Sequence, residues 1–346
     1  MRYLLLLLMA AQPVLAADTF PLTAGDGSRI LSPTDKTTAE VSEGDRKVQV
    51  PAGMVYIPAG RFTFGRTEQA ELPAFCIGRF EVTNAEYKAF LDATKDRGTP
   101  RYWREGTFPE GKANHPVLFV SLDDAEAYSK WVSEQTGWNV VVPTAEQWEK
   151  AARGPEAFSY PWGNEKHSRF KDGHLEARFN YNAVCAAHYL LKEPKTRTQY
   201  TDKSSRAGEW CTVDEIVGGR GQRFGVTDDG NVNGWIDHTT NTGFVNTKLY
   251  RDLVNQGGYT TPVGSFPAGV SHYGCHDLAG NAYEWTASVI IATNGAERGR
   301  EVNDVRGGSW YSMGRSGMSL CTGEGRQRRG AYHSVGFRIA MNPASP

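Results

Sequence analysis

The chain has few cysteines, almost no net charge and, beyond its first residues, no long hydrophobic run. None of its five cysteines lies in a Cys-x-x-Cys motif, the usual signature of a zinc or thioredoxin-type site. The 38 basic and 39 acidic side chains leave a formal net charge of −1, so a broad basic surface for nucleic acid is not expected. The 38 glycines and 17 prolines among 346 residues indicate a fold with many turns. An odd number of cysteines leaves at least one thiol without an intramolecular partner, and spacing leaves the pairing open among Cys76, Cys185, Cys211, Cys275 and Cys321.

The N-terminus has the pattern of a secretory signal peptide. Arg2 supplies a positive charge, residues 4–11 form a short apolar segment, and Val14, Leu15 and Ala16 precede a cleavage position. A membrane anchor is the alternative, but so short a segment, at about 1.5 Å per residue, does not span roughly 30 Å of hydrocarbon. We therefore expect residues 1–16 to be removed and the mature protein to be exported to the periplasm, where disulfides persist.

Residues 17–50 are polar and show little periodicity, so they predict an N-terminal arm or linker, with a strand at residues 48–50 as the alternative. The compact domain is expected to begin near Pro51. Apolar residues at 55–57 and 62–64 flank Pro58-Ala59-Gly60, a pattern that predicts a hairpin.

Three segments have apolar residues at helical spacing. The first begins at Thr83, the second has a capping box of Ser121 and Asp124, and the third begins at Thr144 with Gln147 in the reciprocal position. Their predicted buried residues are Tyr87, Phe90 and Leu91, then Ala125, Tyr128, Trp131 and Val132, then Trp148, Ala151 and Ala152. Short strands and turns predominate after about residue 155. The predicted fold class is therefore α+β, with few helices and much irregular chain.

A series of short motifs occurs in a characteristic order. The last two are Arg306-Gly307-Gly308-Ser309-Trp310 and Gly336-Phe337-Arg338; the others lie at residues 54–60, 80–84, 115–117, 142–149, 160–164 and 274–285. This ordered set resembles the formylglycine-generating enzyme (FGE), or sulfatase-modifying factor, family over residues 51–342. The resemblance implies the FGE-like, loop-rich variant of the C-type lectin fold, with an insertion at about residues 184–258.

The cysteine pair of the catalytic FGE enzymes is missing. In those enzymes two cysteines after the Gly-Gly-Ser-aromatic step bind copper(I), a soft ion that prefers thiolate ligands. The same offsets fall here on Ser312 and Gly317, and Cys321 is the only cysteine between the last two motifs. One thiol does not replace two, so the resemblance implies a pseudoenzyme with no copper and no catalytic residues.

The resemblance also implies structural calcium. Residues 277–285 correspond to a calcium segment of the family, in which carboxylates and backbone carbonyls form a hard-oxygen set suited to Ca²⁺. The alternative is a turn capped by Asp277, with Glu284 in a salt bridge. The implied ligands are Asp277, Gly280, Ala282 and Glu284 for this site, and Asn180 and the carbonyl of Tyr181 for the start of a second one.

Within the insertion, residues 229–237 follow the EF-hand loop pattern. Gly234 permits the sharp turn, but Thr240 stands where a bidentate Glu is usual. An Asx-rich surface turn is the alternative. The candidate calcium ligands are Asp229, Asn231, Asn233, the carbonyl of Trp235, and Asp237.

Two functions are compatible with such a family member. The first is a non-catalytic periplasmic protein that regulates type VI secretion by binding and activating the periplasmic domain of a membrane Ser/Thr kinase, as a non-catalytic member of the family does. The second is an exported oxidative enzyme of the siderophore (pyoverdine) maturation type, which also lacks the copper pair. A diversified ligand-display protein is disfavoured, because the segment between the last two motifs lacks the expected Asn- and Tyr-rich composition. Neither a nucleic-acid partner nor a membrane span in the mature chain is expected.

Charged and aromatic residues between the last two motifs are the candidate partner-binding residues. Arg and Tyr are favoured at protein interfaces, and the catalytic relatives form their active-site surface in this segment. A solvated charged loop is the alternative. The candidates are Arg315, Glu324, Arg326, Arg328, Arg329 and Tyr332.

Overall fold

A computed structural model describes residues 20–95, 98–165, 168–171, 174–181, 184–185, 248–293, 297–312 and 320–341. The EF-hand-like loop at 229–237, Cys211, Arg315 and Gly317 lie outside these residues. The described helices are α1 (Asn84–Thr94), α2 (Leu122–Thr136), α3 (Ala145–Arg153) and α4 (Lys248–Asn255), and none of them is long and apolar enough to cross a membrane. The described strands are β1 (Leu22–Thr23), β2 (Arg29–Ile30), β3 (Thr38–Glu43), β4 (Arg46–Pro51), β5 (Met54–Ile57), β6 (Gly60–Phe64), β7 (Glu68–Leu72), β8 (Phe75–Gly78), β9 (Val140–Val141), β10 (Ser168–Lys171), β11 (His174–Ala177), β12 (Tyr283–Ile291), β13 (Glu301–Arg306), β14 (Glu324–Arg326), β15 (Val335–Gly336) and β16 (Ala340–Met341).

The helices α1, α2 and α3 each begin at a capping box. In each box, the side chain of the N-cap residue accepts a hydrogen bond from the backbone N–H of the residue three positions later. The side chain of that later residue accepts a hydrogen bond from the backbone N–H of the N-cap residue. The pairs are Thr83 with Glu86, Ser121 with Asp124, and Thr144 with Gln147. The residues predicted for the buried helix faces all lie in the core, so those predictions are confirmed.

Two four-stranded sheets have the orders β5-β8-β16-β9 and β14-β13-β12-β15. The pair β12–β15 is parallel, and the other pairs in these sheets are antiparallel. The predicted hairpin between residues 55–57 and 62–64 is wrong, because β5 pairs with β8 while β6 pairs with β7. All four residues of β8 are buried, so the pairing partner of β5 is set by burial in the domain and not by the intervening turn.

Residues 20–51 form two hairpins that pack on the domain. Val48 and Val50 of β4 are buried in the main core, in agreement with the strand alternative. The turn between β1 and β2 docks through Asp26, whose carboxylate accepts a hydrogen bond of 3.1 Å from Arg79 and lies 3.3 Å from His276 Nε2. This segment is therefore a folded part of the domain surface.

Aromatic rings join α1 and α2 to the second sheet. The Phe337 ring lies 5.4 Å from the Tyr128 ring and 6.3 Å from the Tyr87 ring. The Trp285 indole on β12 donates a hydrogen bond of 2.9 Å to the Val120 carbonyl. These contacts fix β12 against the helices, and the α+β, loop-rich fold class predicted from the sequence is confirmed.

Candidate functional site

Two glycines follow β13 at the start of the 306–338 segment. Gly307 and Gly308 have φ values of 93° and 77°, in the left-handed region that favours glycine. A Cβ atom on Gly307 would lie 3.1 Å from the Trp148 ring and 3.3 Å from the Leu278 carbonyl oxygen. The Gly-Gly step therefore lets the chain pass over α3 and enter the turn at residues 309–312.

Ser312 occupies a buried, hydrogen-bonded position in this turn. Its Oγ accepts a hydrogen bond of 2.9 Å from the Ser309 backbone and lies 3.3 Å from Ser309 Oγ. It also forms a hydrogen bond with the Tyr283 side chain. Cys321 is half-buried, one residue beyond Leu320. At the position expected for the first copper ligand, the structure thus has a neutral hydroxyl already engaged with protein groups.

Tyr283 connects Ser312 to a charged pair at the surface. Its hydroxyl donates a hydrogen bond of 2.7 Å to Glu324 Oε1, and Arg326 donates one of 2.7 Å to Glu324 Oε2. The Arg326 guanidinium lies 5.7 Å from the ring centroids of both Tyr283 and Tyr332. Burial, together with the Glu324 charge, raises the pKa of Tyr283, so the phenol stays neutral and acts as a donor.

Beside this network lies a cluster of aromatic rings. The Tyr311 and His333 rings are 4.9 Å apart, and the His333 ring is 6.2 Å from the Trp310 ring. Trp310 Nε1 is 3.4 Å from the His333 carbonyl oxygen. A Cβ on Gly258 would lie 2.4 Å from Trp310 Nε1, so the loop after α4 packs directly on this tryptophan. The cluster forms a rigid support for the surface that Arg326 and Tyr332 present.

The predicted partner-binding arginines have different surroundings. Arg328 is paired with Asp123 and Glu126 at the start of α2. Arg329 is 91% exposed, with its nearest carboxylate, Asp123, 3.6 Å away. Of the candidates within the described residues, the structure therefore groups Glu324, Arg326 and Tyr332, while Arg328 and Arg329 lie against the N-terminal turn of α2.

A buried ion pair lies beneath the sheet. Arg338 Nε and Nη2 donate hydrogen bonds of 2.5 and 2.6 Å to the two carboxylate oxygens of Glu284, and both side chains are fully buried. Trp148 Nε1 adds a third hydrogen bond to Glu284, of 2.8 Å. Arg338 also donates to the carbonyls of Gly78 and His276. The salt bridge expected as an alternative to calcium is present, and any cation here would share Glu284 with Arg338.

Residues 277–285 are tied to the rest of the domain through Asp277 and Glu81. Asp277, with a φ of 56°, accepts a hydrogen bond of 2.6 Å from the Gly264 backbone. Burial is the main reason that the pKa of Asp277 is raised to about 6. Glu81, which the sequence analysis missed as a site residue, accepts hydrogen bonds from the Ala282 backbone and the Asn281 side chain. Calcium at Asp277, Gly280, Ala282 and Glu284 remains a prediction.

The second predicted calcium position has an unpaired acceptor. Asn180 donates from its side chain to the Tyr259 carbonyl at 2.7 Å and to Asn281 Oδ1 at 3.1 Å. Its own Oδ1 is buried and has no hydrogen-bond partner in the described part of the chain. Tyr181 is buried beside it. An orphaned amide oxygen is a ligand that Ca²⁺ accepts, so this atom is compatible with the predicted calcium position, which stays a prediction.

A second ionic network, not foreseen from the sequence, holds Arg306 at the start of the 306–338 segment. Arg306 donates hydrogen bonds of 2.7 Å to Glu149 and to Asp304. It also donates to the Leu320 carbonyl at 3.1 Å. Glu149 lies 157 residues from Arg306 in another motif, so neither periodicity nor spacing could have paired those two side chains.

The chain matches the sulfatase-modifying factor enzyme 1-like domain over residues 38–243 and 202–343. It is 30% identical over 173 residues to the formylglycine-generating enzyme of Thermomonospora curvata, a match that covers 34% of this chain and 54% of that enzyme. The chain thus spans about half the length of that relative. It is 23% identical over 348 residues to inactive C-alpha-formylglycine-generating enzyme 2 of Bos taurus, covering 86% of this chain and 89% of that protein.

Among solved structures, the fold is similar to that of PvdO from Pseudomonas aeruginosa. The TM-score is 0.50 at 20% sequence identity, and the match covers 89% of this chain and 100% of that chain. At this level of identity the likeness concerns the fold alone.

Proposed function

The chain belongs to the sulfatase-modifying factor enzyme 1-like family, and from this membership we propose that it is an exported, non-catalytic member that acts by binding a protein partner. The partner we propose is the periplasmic domain of a membrane Ser/Thr kinase, which the protein activates to regulate type VI secretion. Because an exported protein does not reach a cytoplasmic kinase domain, its signal has to pass through a partner that spans the membrane.

The position of Ser312 carries the non-catalytic part of the proposal. A buried hydroxyl that bonds Ser309 and Tyr283 is a poor ligand for copper(I), which binds soft thiolates. The adjoining groups are a neutral phenol and a carboxylate paired with arginine. Such an arrangement stabilises a surface and presents donors and acceptors to a partner.

The proposed contact surface consists of Glu324, Arg326 and Tyr332, extended by Arg329. Arg326 is held between two rings by a charge-assisted hydrogen bond, so little of its side-chain freedom remains to be lost on binding. Pre-ordered Arg and Tyr side chains are common interface anchors. A preference of about a hundredfold for the active kinase assembly would shift its equilibrium by roughly 2.7 kcal/mol.

The test is a pull-down with the immobilised periplasmic region of the kinase. The Arg326→Met/Arg329→Glu protein is expected to bind at least tenfold more weakly than the wild type. Arg61→Glu is the matched control, since Arg61 is 82% exposed and lies on the β6–β7 hairpin. Arg328 is left intact because its reversal would place another carboxylate beside Asp123 and Glu126.

Kinase autophosphorylation in a strain lacking this gene tests the activator role independently of the proposed contact surface. We expect it to fall, and normal phosphorylation would refute the activator role. Wild-type binding by the double variant would refute only the proposed surface. The competing proposal, an exported oxidative enzyme of the siderophore maturation type, would be favoured if the deletion strain instead accumulated an unmatured siderophore precursor.

We also propose structural calcium at Asn180 and Tyr181 and at the Asp277 segment. The orphaned Asn180 oxygen supports the first position, and the buried Asp277 carboxylate supports the second. At a concentration of about 100 Kd, such an ion would stabilise the fold by about 2.7 kcal/mol. Elemental analysis should find calcium, and excess chelator should lower the Tm. A calcium-free protein with an unchanged Tm in chelator would contradict this; Asp229→Ala is expected to have a smaller effect.

A further inference from the structure

A cleft opens between the N-terminal hairpins and the main core. Its walls come from residues 29–35, from the turn at residues 51–54, and from the facing parts of α1 and α2. None of the wall residues belongs to the 306–338 segment. The space between these walls, counted with its open mouth, is about 720 Å³, and the cleft is open to solvent. Its apolar wall includes Ile30, Met54, Phe80, Val132, Trp138 and Ile339.

Two polar groups in this wall have unused hydrogen-bonding capacity. Glu86 Oε2 accepts both hydrogen bonds from Thr83, of 2.7 Å from its backbone and 2.6 Å from its hydroxyl. Within the described residues, Glu86 Oε1 and the Tyr128 hydroxyl have no hydrogen-bond partner, although Tyr128 is only 1% exposed. Both side chains line the cleft.

The wall charges and rings define the chemistry of an occupant. Three acids, Asp35, Glu81 and Glu86, line the cleft against one base, Arg29. Both oxygens of Glu81 are already hydrogen-bonded, which leaves Glu86 and the partly exposed Asp35 as the acids available to a ligand. Phe80, Tyr128 and Trp138 add aromatic side chains to the wall. The combination favours a positively charged group on an apolar body and disfavours an anion.

We propose that this cleft binds a small primary or secondary ammonium compound with an apolar body, its N–H groups donating to Glu86 and to the Tyr128 hydroxyl oxygen. The ammonium supplies the donor that Glu86 Oε1 lacks, and the apolar body replaces water against the aliphatic and aromatic wall. Burial raises the pKa of Glu86 to about 7, the behaviour of a carboxyl that is desolvated without a counter-charge. This site is independent of the proposed partner surface.

The capping box allows Glu86 to be neutralised without loss of its structural role. A glutamine can still accept the hydrogen bond from the Thr83 backbone, as Gln147 does from the Thr144 backbone in α3. Asp124 has the same capping position in α2 and is not part of the cleft wall. Glu86→Gln and Asp124→Asn are therefore matched variants that differ in whether the lost charge lies in the cleft.

The experiment is calorimetric titration of the full-length mature protein with 2-phenylethylamine and hexylamine, and with the corresponding alcohols. We expect saturable binding of an amine, at least tenfold tighter than that of its alcohol. Glu86→Gln should weaken amine binding at least tenfold, Tyr128→Phe several-fold, and Asp124→Asn less than twofold. Circular dichroism checks the fold of each variant, and Tyr128→Phe decides the matter if Glu86→Gln does not fold.

Three results would overturn the inference. The wild-type protein could bind neither amine. The alcohols could bind as tightly as the amines, which would show that charge plays no part. A folded Glu86→Gln protein, or a folded Tyr128→Phe protein if that variant is needed, could bind the amine as tightly as the wild type.

Discussion

Two Glu–Arg pairs in this protein have the same chemistry and opposite surroundings. Glu284 and Arg338 are fully buried and lie 2.5 Å apart, whereas the side chains of Glu324 and Arg326 are 44% and 23% exposed at 2.7 Å. Breaking a buried pair leaves an uncompensated charge, at a cost of about 3–5 kcal/mol, while an exposed pair contributes about 0–1 kcal/mol. The first pair therefore stabilises the fold, and the second is free to serve a partner.

The two pairs are connected through adjacent residues of β12, Glu284 and Tyr283. Successive side chains on a strand point to opposite faces, so Glu284 reaches inward to Arg338 while Tyr283 reaches Glu324 on the other face. The strand thus links the ion pair of the core to the charged pair of the surface. Loss of the buried Glu284–Arg338 pair is expected to disturb the exposed Glu324–Arg326 pair. Loss of the exposed pair is not expected to disturb the buried one.

The largest effect is expected from the buried pair. Arg338→Met should destabilise the protein by about 3–5 kcal/mol because Glu284 loses its counter-charge. In the Arg338→Met/Glu284→Leu protein, much of this loss should be recovered, since neither charge of the pair remains. Denaturant unfolding of the two single variants and the double variant gives the coupling free energy. A loss below about 1 kcal/mol in Arg338→Met would show that the two pairs do not differ as described.

Within the described part of the chain, the buried His115 has no carboxylate partner among its hydrogen-bonding neighbours, and its contribution to stability should depend on pH. His115 Nδ1 lies 3.3 Å from Lys112 Nζ and 3.0 Å from Thr260 Oγ1. Burial, together with the Lys112 charge, lowers the pKa of His115 to about 3. Between pH 6.5 and 3 the unfolded chain therefore binds a proton that the folded chain does not.

The free energy of unfolding should consequently decrease as the pH is lowered through that window. His115 should account for about 2 kcal/mol of the loss between pH 7 and pH 5. Urea unfolding of the wild type and of His115→Gln at both pH values measures this contribution. The expectation fails if the two proteins lose the same free energy of unfolding on acidification.

The exposed pair should have the smallest effect on stability. Arg326→Met is expected to change the free energy of unfolding by less than about 1 kcal/mol, because both charges remain largely hydrated. Its Tm should stay near that of the wild type while binding to the kinase domain weakens. A loss comparable to that of Arg338→Met would mean that Arg326 has a structural role.

Local features of the fold could be predicted from the sequence, and long-range ones could not. The capping boxes at Ser121 and Thr144 and the buried helix faces depend on residues three or four apart, and those predictions hold. The pairing of β5 with β8 depends on burial that no short pattern encodes. At the site, Glu324 and Arg326 could be named from their position between two motifs, but Arg338 is 54 residues from Glu284. Only the folded sheet brings that pair together.

The central claim is that the segment from 306 to 338 presents a binding surface in place of a thiolate copper site. It is tested most directly by incubating the purified mature protein with copper(I), oxygen and a sulfatase-type cysteine peptide, with the peptide product followed by mass spectrometry. The account predicts no formylglycine above the protein-free background, because Ser312 stands where the first thiol would be. Copper-dependent conversion of the peptide, abolished by Cys321→Ser, would contradict it.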